Sequence, residues 1–117
     1  MSCFDEKLLK KDIGLAKTLT IDENLYNKLE DLSENVYDAS VTKLVNVAIL
    51  DFIATENIKV YKRASRSYVA RSFIIREGAF RSLEELKDKY NLSISRLINI
   101  AIRNALTDLE NESTKKE

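Results

Sequence analysis

The side chains able to do covalent chemistry are few and scattered. The chain has no histidine and a single cysteine, Cys3, near its start and without a partner base. Glu84 and Glu85 are adjacent, so on a helix they point in different directions. Gly14 and Gly78 stand alone, which leaves no glycine-rich loop to cradle a phosphate. No spacing of ligand residues suits a metal. The expectation is a protein that is not an enzyme, with no cofactor, no metal and no small-molecule substrate. A different chemistry is written at two other places, Ser40-Val41-Thr42-Lys43 and Ser93-Ile94-Ser95-Arg96. Each is a serine immediately before an apolar periodic run, where a helix wants its N-cap. The first N–H groups of such a helix point outward, and with the positive end of the helix dipole they suit a phosphate oxygen. The backbone at Val41 and Ile94 and the side chains of Thr42, Lys43, Ser95 and Arg96 lie in that first turn. Plain capping uses the same geometry and is the alternative reading.

Those two sites sit inside a longer echo. Ser40, Leu44, Asn46, Ala48 and Ile49 recur as Ser93, Leu97, Asn99, Ala101 and Ile102. Val41, Thr42, Lys43, Val45 and Val47 recur in kind as Ile94, Ser95, Arg96, Ile98 and Ile100. Upstream, LEDL from Leu29 pairs with LEEL from Leu83, Tyr26 with Phe80, and KTLTI from Lys17 with RSFII from Arg71. The second copy is one residue shorter in the loop before its serine. Three matching segments in one order point to internal duplication, the first thing to look for in a sequence.

Each copy has three parts. In KTLTI and RSFII, Leu19 and Ile21 alternate with Thr18 and Thr20, and Phe73 and Ile75 with Ser72 and Ile74; period two predicts strands. Leu25, Leu29 and Leu32, and in the second copy Phe80, Leu83 and Leu86, predict helices over about 23–34 and 79–90. The serine-capped runs predict helices over about 41–55 and 94–109, apolar over so much of their circumference that they expect burial on more than one side. A unit of about 40 residues rarely buries enough apolar surface to stand alone, and its one strand lacks a partner. Two copies resolve both problems. The strands pair as an antiparallel ribbon, with Leu19, Ile21, Phe73 and Ile75 turned inward under four helices. The joining segment of about 15 residues spans up to roughly 50 Å, which permits the pairing. The fold class is thus mostly α with a short two-stranded antiparallel β-ribbon. The organisation is an N-terminal arm (1–15), a first unit (16–55), a basic linker (56–69), a second unit (70–109) and a polar tail (110–117) that frays.

Composition sets the outer bounds. At 44% hydrophobic residues, with no proline and two glycines, the chain is globular and its helices meet few interruptions. No apolar run reaches membrane-span length, and the opening MSCFDEKLLKKDIG is not a secretion signal. With a lone cysteine, a reducing cytoplasmic setting follows by default, the host cytoplasm for a viral protein. Nineteen basic and nineteen acidic residues cancel, which argues against strong nonspecific nucleic-acid binding. The charges are nonetheless segregated. Lys59, Lys62, Arg63, Arg66, Arg71 and Arg76 run without an acid between them, whereas acids dominate from Asp22 to Asp38. Either the basic segment meets phosphates or it is a soluble linker.

A strand, a helix, a loop with a serine cap and a buried helix, found twice as LTIDENLYNKLEDL with DASVTKLVNVAI and again ending in NLSISRLINIAI, resembles the ribbon-helix-helix family of the MetJ/Arc/CopG class. The resemblance covers about 16–54 and 70–107. Family members are usually homodimers with one such unit per chain; this chain looks like a tandem, pseudo-dimeric version. The resemblance implies double-stranded DNA as partner, with the ribbon in the major groove. Thr18, Thr20, Ser72, Ile74 and Arg76 would then read bases. Asp22 continues the same face but is better suited to capping a helix. The phosphate contacts would come from Ser40, Val41, Thr42, Lys43, Ser93, Ile94, Ser95 and Arg96, with Lys17 and Arg71 reaching the backbone from the flank. Because the two groove faces differ, an asymmetric site is expected. A transcriptional regulator, most simply a repressor, is the implied role, with self-association on adjacent sites as a further expectation. An antitoxin-type protein-interaction module, or a plasmid or virus partition or copy-control protein, are the alternatives.

Overall fold

The computed structural model describes residues 14–37, 39–59, 61 and 67–115. The expectations for residues 1–13, for Lys62, Arg63 and Arg66 and for residues 116–117 lie outside the described residues. Two strands and four helices follow in the order β1 (Gly14–Asp22), α1 (Glu23–Asn35), α2 (Val41–Thr55), β2 (Tyr68–Arg76), α3 (Glu77–Tyr90) and α4 (Ile94–Lys115). The architecture is mostly helical, around one two-stranded antiparallel sheet.

Both strands are longer than the five-residue runs suggest. The alternation continues backward through Leu15 and Val69, so the strands take in residues that the sequence pattern assigns to the arm and the linker. Thr18 pairs with Ser72 at the centre, Thr20 with Ala70, and Ile74 with Ala16. Thr20 and Ile74 therefore sit toward opposite ends of the ribbon, not across from each other. The inward set is as expected, with Leu19, Ile21, Phe73 and Ile75 all buried.

Strand β1 ends where Asp22 turns back to cap α1, accepting from the N–H groups of Asn24 and Leu25. Leu25 and Leu29, one turn apart, bury the same face of α1. Ser33 donates to the Ala39 carbonyl and shapes the loop to α2. There Ser40 accepts from the Lys43 N–H, and Val45, Ala48, Ile49 and Phe52 enter the core. Helix α2 stops at Glu56, whose backbone is left-handed at φ 48° while its N–H still reaches the Phe52 carbonyl. Such a conformation costs a side-chain-bearing residue energy, and the Glu56 carboxylate is held by Lys89 and Tyr90.

Helix α3 starts at Glu77, earlier than the periodicity predicts, and buries Ala79, Leu83 and Leu86. It closes on Asn91 at φ 53°, a residue type that tolerates this region. Ser93 caps α4 through the Arg96 N–H. Helix α4 then runs 22 residues, through most of the stretch expected to fray. The core gathers under the inner face of the ribbon, with α2 packed chiefly on α4.

Candidate nucleic-acid interface

The outer face of the ribbon carries small and polar side chains. Gly14, Ala16, Thr18 and Thr20 of β1 and Tyr68, Ala70, Ser72, Ile74 and Arg76 of β2 are all exposed. At its centre the Thr18 and Ser72 hydroxyls lie 3.2 Å apart in a shared hydrogen bond. Ile74 stands 55% exposed and, with Tyr68 at 42%, is one of two large hydrophobic side chains on this face. Diagonally across the ribbon lies Gly14, where a Cβ would run into Ile74 Cγ2; the missing side chain makes room for the isoleucine. The five residues expected on this face are on it. Asp22 is not: it is 4% exposed, turned inward by the two helix N–H groups it caps. Arg76, at the matching place before α3, makes no side-chain cap bond and stays exposed.

Two asparagines position the helix starts beside this ribbon. Asn46 Nδ2 donates to the Thr42 carbonyl of its own helix and, at 2.9 Å, to the Ile74 carbonyl of β2. Asn99 Nδ2 donates in the same way to Ser95 and, at 2.9 Å, to the Thr20 carbonyl of β1. Its Oδ1 also accepts from the Asp22 N–H at 2.8 Å. Each serine-capped helix is thus tied near its start to the strand that belongs to the other half. Thr20 and Ile74 lie four rows apart along the ribbon, about 13 Å at ~3.3 Å per residue. The two helix starts therefore flank opposite ends.

At each start the serine hydroxyl is occupied by the third helical N–H, and its carbonyl accepts from the fourth, at Leu44 or Leu97. By helix geometry the amides of Val41, Thr42, Ile94 and Ser95 have no partner within their helix. Lys43 and Arg96 are exposed beside them, and Thr42 and Ser95 are half-buried. Two sets of such amides, each with one exposed cation, are what a phosphate on either side of a groove requires.

Lys17 and Arg71 have core-facing parity and escape to the flank. They do so by lying over aromatic rings: Lys17 Nζ is 4.6 Å from the Phe80 centroid, and the Arg71 guanidinium 5.0 Å from that of Tyr26. Each cation thus caps a ring on the first helix of the other half, an interaction of about 0.5–1 kcal/mol at exposed sites. Phosphate binding from these positions has to compete with, or add to, that stacking.

Sequence pattern alone misses the roles of Asn46 and Asn99. The available signal is an amide at one matching place in each of two otherwise apolar runs, VNVAI and INIAI, since a polar group there must find a partner. Ala16, Ala70 and Tyr68 are missed as well, because the pattern makes the strands too short. Among the described residues no group of acids and cysteines could hold a metal ion, and no helix is long and apolar enough to cross a membrane. No protein-family model, no curated protein and no solved structure matches the chain.

Proposed function

We propose that the chain is a tandem ribbon-helix-helix protein, a pseudo-dimer in one polypeptide, that binds double-stranded DNA sequence-specifically and acts as a transcriptional regulator. The observation that carries this reading is an exposed two-stranded ribbon whose two ends are flanked by serine-capped helix starts. A B-DNA major groove admits a ribbon of this width, and the phosphates that line it fall on either side.

The pseudo-dimer reading is supported by the register. The two strands match residue for residue at the 54-position offset of Thr18 and Ser72, and those two are paired with each other. A residue opposite its own counterpart is what a two-fold axis through the ribbon centre demands. The asparagine clasps and the cation–ring pairs obey the same relation.

In the proposed complex Thr18, Thr20 and Ser72 exchange hydrogen bonds with base edges, Ile74 packs on a thymine methyl, and Arg76 reads guanine. Lys43 and Arg96, with the amides of residues 41–42 and 94–95, hold the backbone. Lys17 and Arg71 add to this from the flank.

Selection of bound duplexes from a random pool tests the reading. A defined sequence should emerge, and binding to it should weaken as salt rises. Replacing Thr20 or Ile74 by alanine should relax preference at one position by about 1–3 kcal/mol. Neutralising Lys43 or Arg96 should weaken binding to every sequence and lower the salt slope by ~0.9 for each phosphate no longer neutralised. If no sequence is enriched and binding ignores salt, the ribbon is not a DNA reader.

A further inference from the structure

The second helices of the two halves differ on their outer faces. On α4, Ile100 is 6% exposed, and the next turn holds the segment that follows α2. There Asn104 Nδ2 donates to the Asn57 carbonyl at 2.8 Å, and Tyr61 donates its hydroxyl to Asn104 Oδ1 while its ring lies under the Arg103 guanidinium. On α2 the matching residues are Val47, Leu50 and Asp51. Val47 is 57% exposed and Leu50 50%. The first half thus presents a large apolar pair at places that the second half keeps dry or engaged.

The apolar pair sits in a charged frame. At 3.6 residues per turn Lys43, Val47, Leu50, Asp51 and Ala54 fall on one stripe of α2, and all five are exposed. A cation opens the stripe and an anion stands near its end. Lys43 and Asp51 are eight residues apart, about 12 Å along the axis, too far to pair with each other. Among the described residues neither joins a salt bridge. Val47 lies midway between them. Two such stripes laid antiparallel and crossing at Val47 set each Lys43 against the other's Asp51, with the apolar pairs of both between. Laid parallel, they set like charge on like charge, which selects against that arrangement. The stripe is therefore complementary to itself under a two-fold rotation, the property of an isologous interface.

We infer that the outer face of α2 docks on the same face of a second copy, giving a two-fold dimer of this chain. The charge order picks the occupant, since the surface that matches Lys43–Val47–Asp51 is its own reverse. Asn57 and Tyr61 occupy the equivalent face of α4, so each chain offers one such stripe and the assembly closes at two copies. Two apolar side chains per copy make less than the ~1,600 Å² of a standard interface, so the dimer is weak and transient, with Kd on the order of 100 μM. The inference rests on the surface of α2 and not on DNA binding.

Sedimentation of the full-length protein without DNA, from about 10 μM to about 1 mM, tests it at concentrations that bracket that Kd. The parent should pass from monomer to dimer and no further. Val47→Asp, at an exposed position, should keep the parent's circular dichroism and weaken the dimer by about tenfold or more. Lys43→Asp and Asp51→Lys should each weaken it by about two- to fivefold, and the double variant Lys43→Asp with Asp51→Lys should return to the parental value. A monomer at every concentration would overturn the inference and leave the face to a foreign partner. A dimer indifferent to Val47→Asp, a double variant no tighter than the single ones, or growth beyond two copies would overturn it as well.

Discussion

Residues 14–55 and 68–115 repeat the same order of strand, helix and helix, and they agree on the inside while differing on the outside. Both halves turn two alternating apolar side chains under the ribbon and cap the second helix with serine. Both also tie that helix to the opposite strand through asparagine and lay a cation over an aromatic ring of the other half. The differences gather on the outer surface. Asp22 caps α1 from within, whereas Arg76 is left exposed before α3. Thr20 and Tyr68 mark one end of the ribbon face, Ile74 and Arg76 the other. The shared features are those that hold a ribbon open to solvent. The unshared ones make its two ends chemically distinct.

The interior agreement is broken or sharpened by matched substitutions. Ile21→Ala and Ile75→Ala remove side chains that are both fully buried. Each should cost about 2–5 kcal/mol by urea denaturation. The two costs should be similar, and a large difference would mean that the halves do not bear on the core alike. Asn99→Ala should cost about 1–2 kcal/mol and more than Asn46→Ala, because Asn99 also accepts the Asp22 N–H.

The exterior difference yields smaller effects. Asp22→Ala should cost ~1 kcal/mol, the usual worth of a helix cap. Arg76→Ala should change stability by less than about 0.5 kcal/mol; if the proposed function holds, its effect appears in DNA selection instead. The smallest effect concerns Glu56, whose carboxyl is held below its ordinary range by the hydrogen bond from Lys89, opposed by desolvation and helped further by the Lys89 charge and the Tyr90 hydroxyl. A depressed folded value gives stability that is present above the ordinary carboxylate range and disappears as pH falls through the lowered value. Glu56→Gln should therefore be slightly less stable than the parent at neutral pH and indistinguishable from it at strongly acidic pH, by denaturation under both conditions.

Much of the architecture is legible in residue patterns, and the reason differs from element to element. The alternation in LTI and FII forces the inward set because one face must be dry. The serines announce α2 and α4 because a helix start needs an acceptor there. The strand ends are not legible, since Leu15 and Val69 extend a pattern that Gly14, Ala16 and Ala70 leave weak. The length of α4 is hidden too, as its last turns are polar and carry no periodicity. Of the candidate site, the outward residues follow from parity, but the clasps do not. An amide's partner 79 positions away is set by tertiary geometry, which no local window contains.

That distance has a consequence for how the chain comes into being. β1 is made first and its pairing partner only with residues 68–76, while the bond from Asn99 to Thr20 waits longer still. During synthesis the opening strand is an unmatched edge, the kind of surface on which nascent chains stick to one another. A message cut short before α4 would release the first strand without its clasp, so truncation products should be insoluble rather than smaller folded domains.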